Sequence, residues 1–313
     1  MRIIFMGTPE FAVASLDALL EAGEEVVAVV TAPDKPAGRG QKLQQSAVKV
    51  YAAARGIPVL QPVKLRDPQF LSDLKSFGAD LQAVVAFRML PEVVWNMPPL
   101  GTVNLHASLL PQYRGAAPIN HAVINGETES GVSTFLLQHE IDTGNILFSE
   151  KVTIGPDDTA GDLHDQLTTV GAGLLVQTVK ALAAGKVTPI PQERLTVSGD
   201  MLKHAPKIVK EDGKIDWHRP VDEVYNLIRG LSPYPTAFTE LDGQALKIFK
   251  AIKEKRPINH PVGTYDTDGT TFLKFACPDG YIDVQELQLA GKKRMDIQAF
   301  LRGYRPRSVT IFT

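Results

Sequence analysis

Short apolar runs alternate with amphipathic stretches over the first third of the chain. The first run, Arg2 to Met6, ends at the breaker Gly7-Thr8-Pro9, and an amphipathic segment from Glu10 to Ala22 follows, which predicts a strand, a turn and a helix. Further strand-like runs come at Glu25 to Thr31, Pro58 to Leu60, Leu81 to Phe87 and Thr102 to Leu105. Helical segments lie among them at Ser46 to Arg55, stopped by Gly56, and at Pro68 to Phe77, stopped by Gly78. Strands that are apolar throughout and are separated by helices predict an α/β fold whose mostly parallel sheet is covered on both faces.

The pattern then changes. A helix near Pro118 to Ile124 precedes two strand-like runs, Gly131 to Leu137 and Gly144 to Ile154, which add antiparallel edges to the sheet. A long helix starts at Thr159, whose hydroxyl caps the first turn together with Asp162, and runs through Leu163, Leu167, Leu174 and Leu175 to about Ala184. Gly185 to Pro206 is polar and without period, and reads as a linker across the surface. Beyond it, one amphipathic helix, Val221 to Gly230, is followed by β-type segments at Ala237 to Leu241, Ala245 to Ala251, Thr271 to Ala276 and Tyr281 to Leu289. Asp242-Gly243, Asp268-Gly269 and Asp279-Gly280 supply the turns. A small β-barrel of the five-stranded OB type accommodates this pattern. The expected division is a first domain over residues 1–189, a linker over 190–205 and a second domain over 206–313.

Composition narrows the choices. The chain has 313 residues, 44 % hydrophobic and 22 % charged, with a net charge of −2, which excludes a disordered chain and a general nucleic-acid coat protein. The charge is unevenly spread: from Ala205 onward there are 17 Lys and Arg against 14 Asp and Glu, and before it 16 against 21. A mildly basic end on an acidic body permits an RNA partner. The single cysteine, Cys277, can build neither an internal disulfide nor a cysteine zinc site and reads as a packing residue. No apolar run is long enough to cross a bilayer and MRIIFMGTPE has no secretory pattern, so a cytoplasmic location is expected, with a monomer as the default state. His121, His139, His164, His204, His218 and His260 have no metal-binding spacing, and no metal is expected.

Candidate chemistry gathers at Asn104-Leu105-His106, at the carboxyl end of the fifth strand, where open α/β sheets bind ligands. Alternation along a strand puts Asn104 and His106 on one face, about 6 to 7 Å apart. An amide donor beside an imidazole suits acyl transfer: the amide can hold a developing oxyanion, and the imidazole can exchange a proton near neutral pH. Ser108 to Gly115, SLLPQYRG, forms a stiff loop directly after the histidine, and Asp142-Thr143-Gly144 is a turn between two strands that can return to the same crevice. An ionised Asp142 there would favour and orient the imidazolium. Gly7 is one glycine where a dinucleotide fingerprint needs three, so a nicotinamide cofactor is the weakest reading. The aperiodic loop from Thr31 to Gln45 frames Lys35, Arg39 and Lys42 with Pro33, Pro36, Gly38 and Gly40, and only Asp34 opposes their charge.

These residues resemble the methionyl-tRNA formyltransferase family: Gly7-Thr8-Pro9-Glu10-Phe11, PDKPAGRGQKL from Pro33 to Leu43, Asn104-x-His106, Ser108 to Pro111, Arg114-Gly115-Ala116-Ala117-Pro118 and Asp142-Thr143-Gly144 match in order. The resemblance implies a Rossmann-like formyltransferase domain followed by an OB-like tRNA-binding domain. It also implies transfer of a formyl group from 10-formyltetrahydrofolate to the α-amine of initiator methionyl-tRNA. The family's roles then fall on Asn104, His106 and Asp142 as a catalytic trio, and on Ser108, Leu109, Leu110 and Pro111 as a loop touching the folate. Phe87, Met89 and Leu90 belong to a second folate segment, in which Arg88 stands where the family usually has glycine. Lys35, Arg39 and Lys42 would meet the acceptor end of the tRNA, with Arg39 suited to a phosphate or base edge by its planar fork. Lys207, Lys210, Lys247, Lys250, Lys253, Lys255 and Arg256 are candidates for a platform under the tRNA body, and Lys247 to Lys253 would line one face only if that stretch is not bulged.

A formyltransferase or deformylase of the same fold acting on an amino-sugar nucleotide or on water is the nearest rival, and a non-catalytic RNA-binding protein the rival from another class. The basic loop and the C-terminal barrel favour tRNA. Arg39→Ala is expected to weaken tRNA formylation while leaving folate binding intact, measured as KM for tRNA beside folate affinity; equal loss of both would contradict that division of labour.

Overall fold

The computed structural model describes residues 1–37, 42–195 and 201–304. Seven strands form the first sheet in the order Ile146–Thr153, Glu129–Leu136, Thr102–His106, Leu81–Val85, Arg2–Gly7, Glu25–Val30, Val59–Leu60. The last five of these pair in parallel, and Thr102–His106 pairs with Glu129–Leu136 in antiparallel fashion. The central strand is apolar on both sides because both faces are covered: Ile3 to Met6 are at most 1 % exposed. Each such side chain contributes roughly 1.5–3 kcal/mol on burial. The covering helices begin where local chemistry directs. Ser46 Oγ accepts from Lys49 N at 3.0 Å to start Ala47–Ala54, and Asp67 Oδ1 accepts from Gln69 N and Phe70 N to start Pro68–Ser76. The long helix Ala160–Ala183 opens on the expected reciprocal cap, in which Thr159 N donates to Asp162 Oδ2 at 2.8 Å and Asp162 N donates to Thr159 Oγ1 at 3.2 Å.

The strand order positions the site. After Val59–Leu60 at one edge, the chain crosses to the other side of Arg2–Gly7 to form Leu81–Val85, and the carboxyl ends of these two strands lie together, Gly7 opposite Val85. That reversal point is where such sheets take ligands. The strand expected to reach Phe87 stops at Val85, because Ala86 turns sharply at φ 47°. The loop read as aperiodic carries a short antiparallel pair, Lys35–Ala37 with Lys42–Gln44. Main-chain bonding alone defines this hairpin, so its side-chain pattern carried no signal.

The chain divides into two compact units: Met1–Gly115, Ser130–Val152 and His164–His204, and then Ala116–Glu129, Thr153–Leu163 and Ala205–Thr313. In the second, six antiparallel strands form the OB-like sheet, with Ala237–Leu241, Gln244–Lys255, Gly280–Leu289, Leu273–Cys277 and Tyr265–Thr267 in spatial order and Met295–Asp296 paired to Gly280–Leu289. The short strands Tyr265–Thr267 and Met295–Asp296 and the closing helix Ile297–Gly303 were not legible from periodicity. Helix Val221–Gly230 turns Val221, Val224, Tyr225 and Ile228 into the core, where Trp217 stacks on Phe275 at 4.4 Å and donates from Nε1 to Thr239 Oγ1 at 2.9 Å. Arg229 in that helix is 6 % exposed; its Nε donates to Asn226 Oδ1 at 2.8 Å and its Nη1 to Asp158 O at 2.9 Å, so the buried charge has partners while burial pulls its pKa down. Gly280 is required where the two longest strands meet, since a Cβ there would lie 2.1 Å from the carbonyl oxygen of Glu254.

Cys277 is fully buried in this core, and that burial, with the charge of Asp279 behind it, pushes its thiol up to about 12. The native chain should therefore resist a thiol-specific reagent at pH 8 and react only as it unfolds. Immediate labelling of the folded protein would contradict this packing.

Candidate active site

The strand Thr102–His106 lies between Leu81–Val85 and Glu129–Leu136 and delivers two of the three expected residues. Asn104 sits opposite Val84 on one side and Phe135 on the other, and His106 sits opposite Ser133. Asn104 is half-buried and His106 buried. Asp142 arrives from the connection between Glu129–Leu136 and Ile146–Thr153, in a left-handed conformation with φ 54°. Its Oδ2 stands 3.8 Å from His106 Nδ1, with the two side chains 13 % and 8 % exposed. The three residues share one unit of the chain.

A tripeptide from the loop after His106 holds this pair. His106 Nε2 is 3.0 Å from the carbonyl oxygen of Tyr113, a contact that calls for a proton on Nε2 and turns Nδ1 toward the carboxylate. Gly115 N donates to Asp142 Oδ2 at 3.0 Å. Between them, the Arg114 guanidinium donates from Nε and Nη2 to Gln192 Oε1 at 3.0 and 2.7 Å. Tyr113 itself is buried at φ 60°, and its N–H donates to Lys203 O at 2.7 Å. The imidazole thus has an oxygen acceptor at Nε2, and its Nδ1 faces the Asp142 carboxyl at 3.8 Å, beyond direct hydrogen-bonding distance. Such a site can carry a positive charge and pass a proton, beside an amide able to donate to a developing negative oxygen.

Residues 1–179 match the formyl transferase family model, and residues 207–305 match the model of the formyl transferase C-terminal domain. A curated relative, methionyl-tRNA formyltransferase of Bacteroides fragilis, is 55 % identical over 311 residues, covering 97 % of this chain and 95 % of that one. The chain belongs to the methionyl-tRNA formyltransferase family. Among solved structures, an N-formyltransferase from Helicobacter canadensis in complex with folinic acid and dTDP-3-aminofucose superposes with a TM-score of 0.64 at 19 % identity, covering 94 % of this chain and 99 % of that one. HypX from Aquifex aeolicus superposes with a TM-score of 0.66 at 17 % identity over 98 % of this chain, which spans about half, 48 %, of HypX. At those identities the likeness is one of fold.

The other residues that the formyltransferase resemblance singled out are distributed as follows. In the loop Ser108 to Pro111, Ser108, Leu110 and Pro111 are buried and Leu109 half-buried. Ser133 ties the loop down, accepting from Leu110 N at 3.1 Å and donating to Ser108 O at 2.8 Å. At the end of Leu81–Val85, Phe87 is half-buried, Leu90 buried and Met89 72 % exposed. The Arg88 guanidinium donates to the carbonyls of Pro62 and Val63, the latter at 2.9 Å, and lies 5.7 Å from the Phe87 ring. It fastens the segment to the loop at Val63, a task that glycine cannot perform.

In the basic loop, Lys35 is exposed, Lys42 stands in the strand Lys42–Gln44, and Arg39 lies outside the described residues. Asp34, the one opposing charge in the sequence of that loop, is taken up elsewhere: Lys49 Nζ donates to it at 2.5 Å and Gln61 Nε2 at 2.7 Å, and these contacts hold its carboxyl below the usual range. In the second unit, Lys207, Lys210, Lys247 and Lys250 are exposed, Lys253 and Lys255 both pair with Asp222, and Arg256 pairs with Glu254. The strand Gln244–Lys255 is bulged near Phe249, where the register against Gly280–Leu289 shifts on both sides of Lys250. The expectation that a bulge would spoil one lysine face needs correcting. A spacing of three alternates faces in a regular strand, and the extra residue leaves both Lys247 and Lys250 exposed while Leu246, Ile248, Phe249 and Ala251 stay buried.

Among the described residues no group of three or more His, Cys, Asp or Glu could hold a metal, and no helix is long and apolar enough to cross a membrane. Sequence reasoning missed the contacts of Tyr113 and of Gly115, which it named only as part of the stiff loop, and missed Gln192 altogether. The first two act through main-chain atoms, and Gln192 lies in a stretch without period, read as a surface linker. Gly144 closes the Asp142 turn against the sheet, and a Cβ there would lie 1.8 Å from Leu136 O. Gly144→Ala is expected to cost at least about 2 kcal/mol in a denaturant titration and to lower activity by displacing Asp142; unchanged values for both would show that the turn yields freely.

Proposed function

We propose that this chain transfers a formyl group from 10-formyltetrahydrofolate to the α-amine of methionine carried by initiator tRNA, for use in translation initiation. The observation that carries the reading is the 55 % identity, over 97 % of the chain, to a methionyl-tRNA formyltransferase. The geometry around His106 supports it. A free α-amine has a pKa of roughly 7.7 to 8.0, lower when its carboxyl group is esterified, so much of it is neutral and nucleophilic near pH 7. The protein has mainly to orient it and to accept its proton.

In this reading Asn104, His106 and Asp142 are the catalytic residues. Attack of an amine on a formyl carbon draws negative charge onto the oxygen. Asn104 donates its amide N–H to that oxygen, and a doubly protonated His106 adds its charge in a water-poor setting. Asp142, anchored by Gly115 N, keeps the imidazolium paired and takes up the amine proton directly or through water. When bound, the folate supplies the formyl carbon; the bond from that carbon to N10 breaks as the new amide forms, the proton taken from the amine passes to N10, and tetrahydrofolate leaves. The rim at the end of Leu81–Val85 fits such a flat heterocycle, because half-buried Phe87 and exposed Met89 offer apolar contact there. Leu90 and Leu109 support these two segments from within.

Lys35, Arg39 and Lys42 serve the acceptor end of the tRNA, with Asp34 neutralised by Lys49 so that it does not oppose them. The division into a catalytic domain over residues 1–189, a linker over 190–205 and a tRNA-binding domain over 206–313 belongs to the same proposal, as do a monomeric state and a cytoplasmic location. The exposed Lys207, Lys210, Lys247 and Lys250 are the platform candidates left open by the ion pairs of the second unit.

The test is formyl transfer from 10-formyltetrahydrofolate to charged initiator methionyl-tRNA, run beside His106→Ala and beside an amino-sugar nucleotide acceptor. Formylated tRNA is expected from the wild type, with a loss of about 10²- to 10⁴-fold in kcat for the variant. Formylation of the sugar alone would overturn the substrate, and tRNA binding without transfer to either acceptor would favour a non-catalytic RNA-binding protein.

A further inference from the structure

Gln192 is 1 % exposed, and its side-chain amide makes four hydrogen bonds to described residues. Its Oε1 accepts from Nε and Nη2 of Arg114, and its Nε2 donates to the carbonyl oxygens of Asp142 and Gly144, both at 2.8 Å. These bonds use both lone pairs and both protons of the amide. Glutamine reaches this position because Ile190, two residues earlier, pairs with Ile146 through main-chain bonds of 2.8 and 2.9 Å, at the start of the strand that follows Gly144. The residue lies between the two stretches that the family models match, residues 1–179 and 207–305.

The two halves of this amide meet the two sides of the His106–Asp142 pair. Arg114 stands between Tyr113, whose carbonyl oxygen faces His106 Nε2, and Gly115, whose N–H holds Asp142 Oδ2. The donated bonds seize the main chain of Asp142 itself, which sits at φ 54° at the end of the exposed run His139 to Ile141. A non-glycine residue in that conformation needs support from its surroundings. The carboxylate is 3.8 Å from Nδ1, beyond hydrogen-bonding distance, so the pair has no direct bond of its own to hold it and depends on whatever fixes the turn.

We propose that Gln192 is a positioning residue for formyl transfer, which sets Asp142 against His106 by joining the Asp142 turn to Arg114. The inference rests on the function proposed above. No other standard side chain of this length offers both an acceptor for a guanidinium and two donors for carbonyls. Glutamate keeps the first and loses the second, methionine loses both, and asparagine is one methylene too short.

The test is a double-mutant cycle with Asp142→Ala, combined with hydrogen exchange at the Gly115 amide. Gln192→Ala is expected to lower kcat at least tenfold with the KM values for tRNA and folate within about twofold of wild type, yet to lower it less than about threefold when Asp142 is already alanine. A purely structural residue would cost the same factor in both backgrounds, and that result would overturn the proposal. Gln192→Glu, which retains the Arg114 contact, is expected to fold and to show the same pattern, so it serves should the alanine variant unfold. Exchange at Gly115 is expected to rise at least tenfold in either variant while the denaturation midpoint moves little; unchanged exchange would equally overturn the proposal. This readout needs no turnover. A wild-type chain that formylates no tRNA while Gly115 still loosens on loss of Gln192 would defeat the proposed function and leave the positioning role standing.

Discussion

The arrangement of the site depends on keeping a carboxylate beside an imidazole when each belongs to a different part of the chain. His106 is fixed by the sheet, since it ends a strand paired on both sides. Asp142 has no such support of its own, because its turn projects from the last antiparallel pair. The tripeptide Tyr113-Arg114-Gly115 supplies the missing link, bonding to the imidazole, to Gln192 and to the carboxylate in three consecutive residues. Two of those bonds use main-chain atoms, so the geometry follows from the path of the backbone. The loop that carries the tripeptide is itself held by Ser133, which stands opposite His106 in the neighbouring strand.

Charge is handled in the same manner elsewhere. Asp34 would oppose the lysines of its loop if it were free, but Lys49 and Gln61 bind it from the helix and the strand edge behind. Arg88 is held by the carbonyls of Pro62 and Val63 with its guanidinium near the Phe87 ring, while Met89 stays exposed. In the second unit Asp222 ties up both Lys253 and Lys255, while Lys247 and Lys250 stay exposed. Where carboxylates meet cations the pairing is local, and among the described residues the exposed Lys247 and Lys250 stay within reach of a polyanion.

Much of this protein can be read from its order of residues. The alternation of apolar runs and amphipathic segments identified the parallel sheet, its longer helices and the Thr159–Asp162 cap, since helix and strand periods and capping bonds act over a few neighbours. Thr159 with Asp162 and the helices Pro118–Ile124 and Val221–Gly230 are of this kind. The roles of Asn104 and His106 were suggested by the same logic, because residues two apart on a strand share a face. Strands as short as Tyr265–Thr267 and Met295–Asp296 escaped, having too few positions to show a period.

What the residues could not disclose is which distant segments meet. Asp142 reads locally as a turn residue, and its place beside His106 follows from the Gly115 main chain and from Gln192. Gln192 reads locally as part of a linker, and only the pairing of Ile190 with Ile146 carries it inward. Local chemistry is written in local spacing and survives in one dimension. A clamp made of one side chain and several carbonyls exists only after long-range pairing has brought its parts within hydrogen-bonding distance, and no spacing in the chain records it.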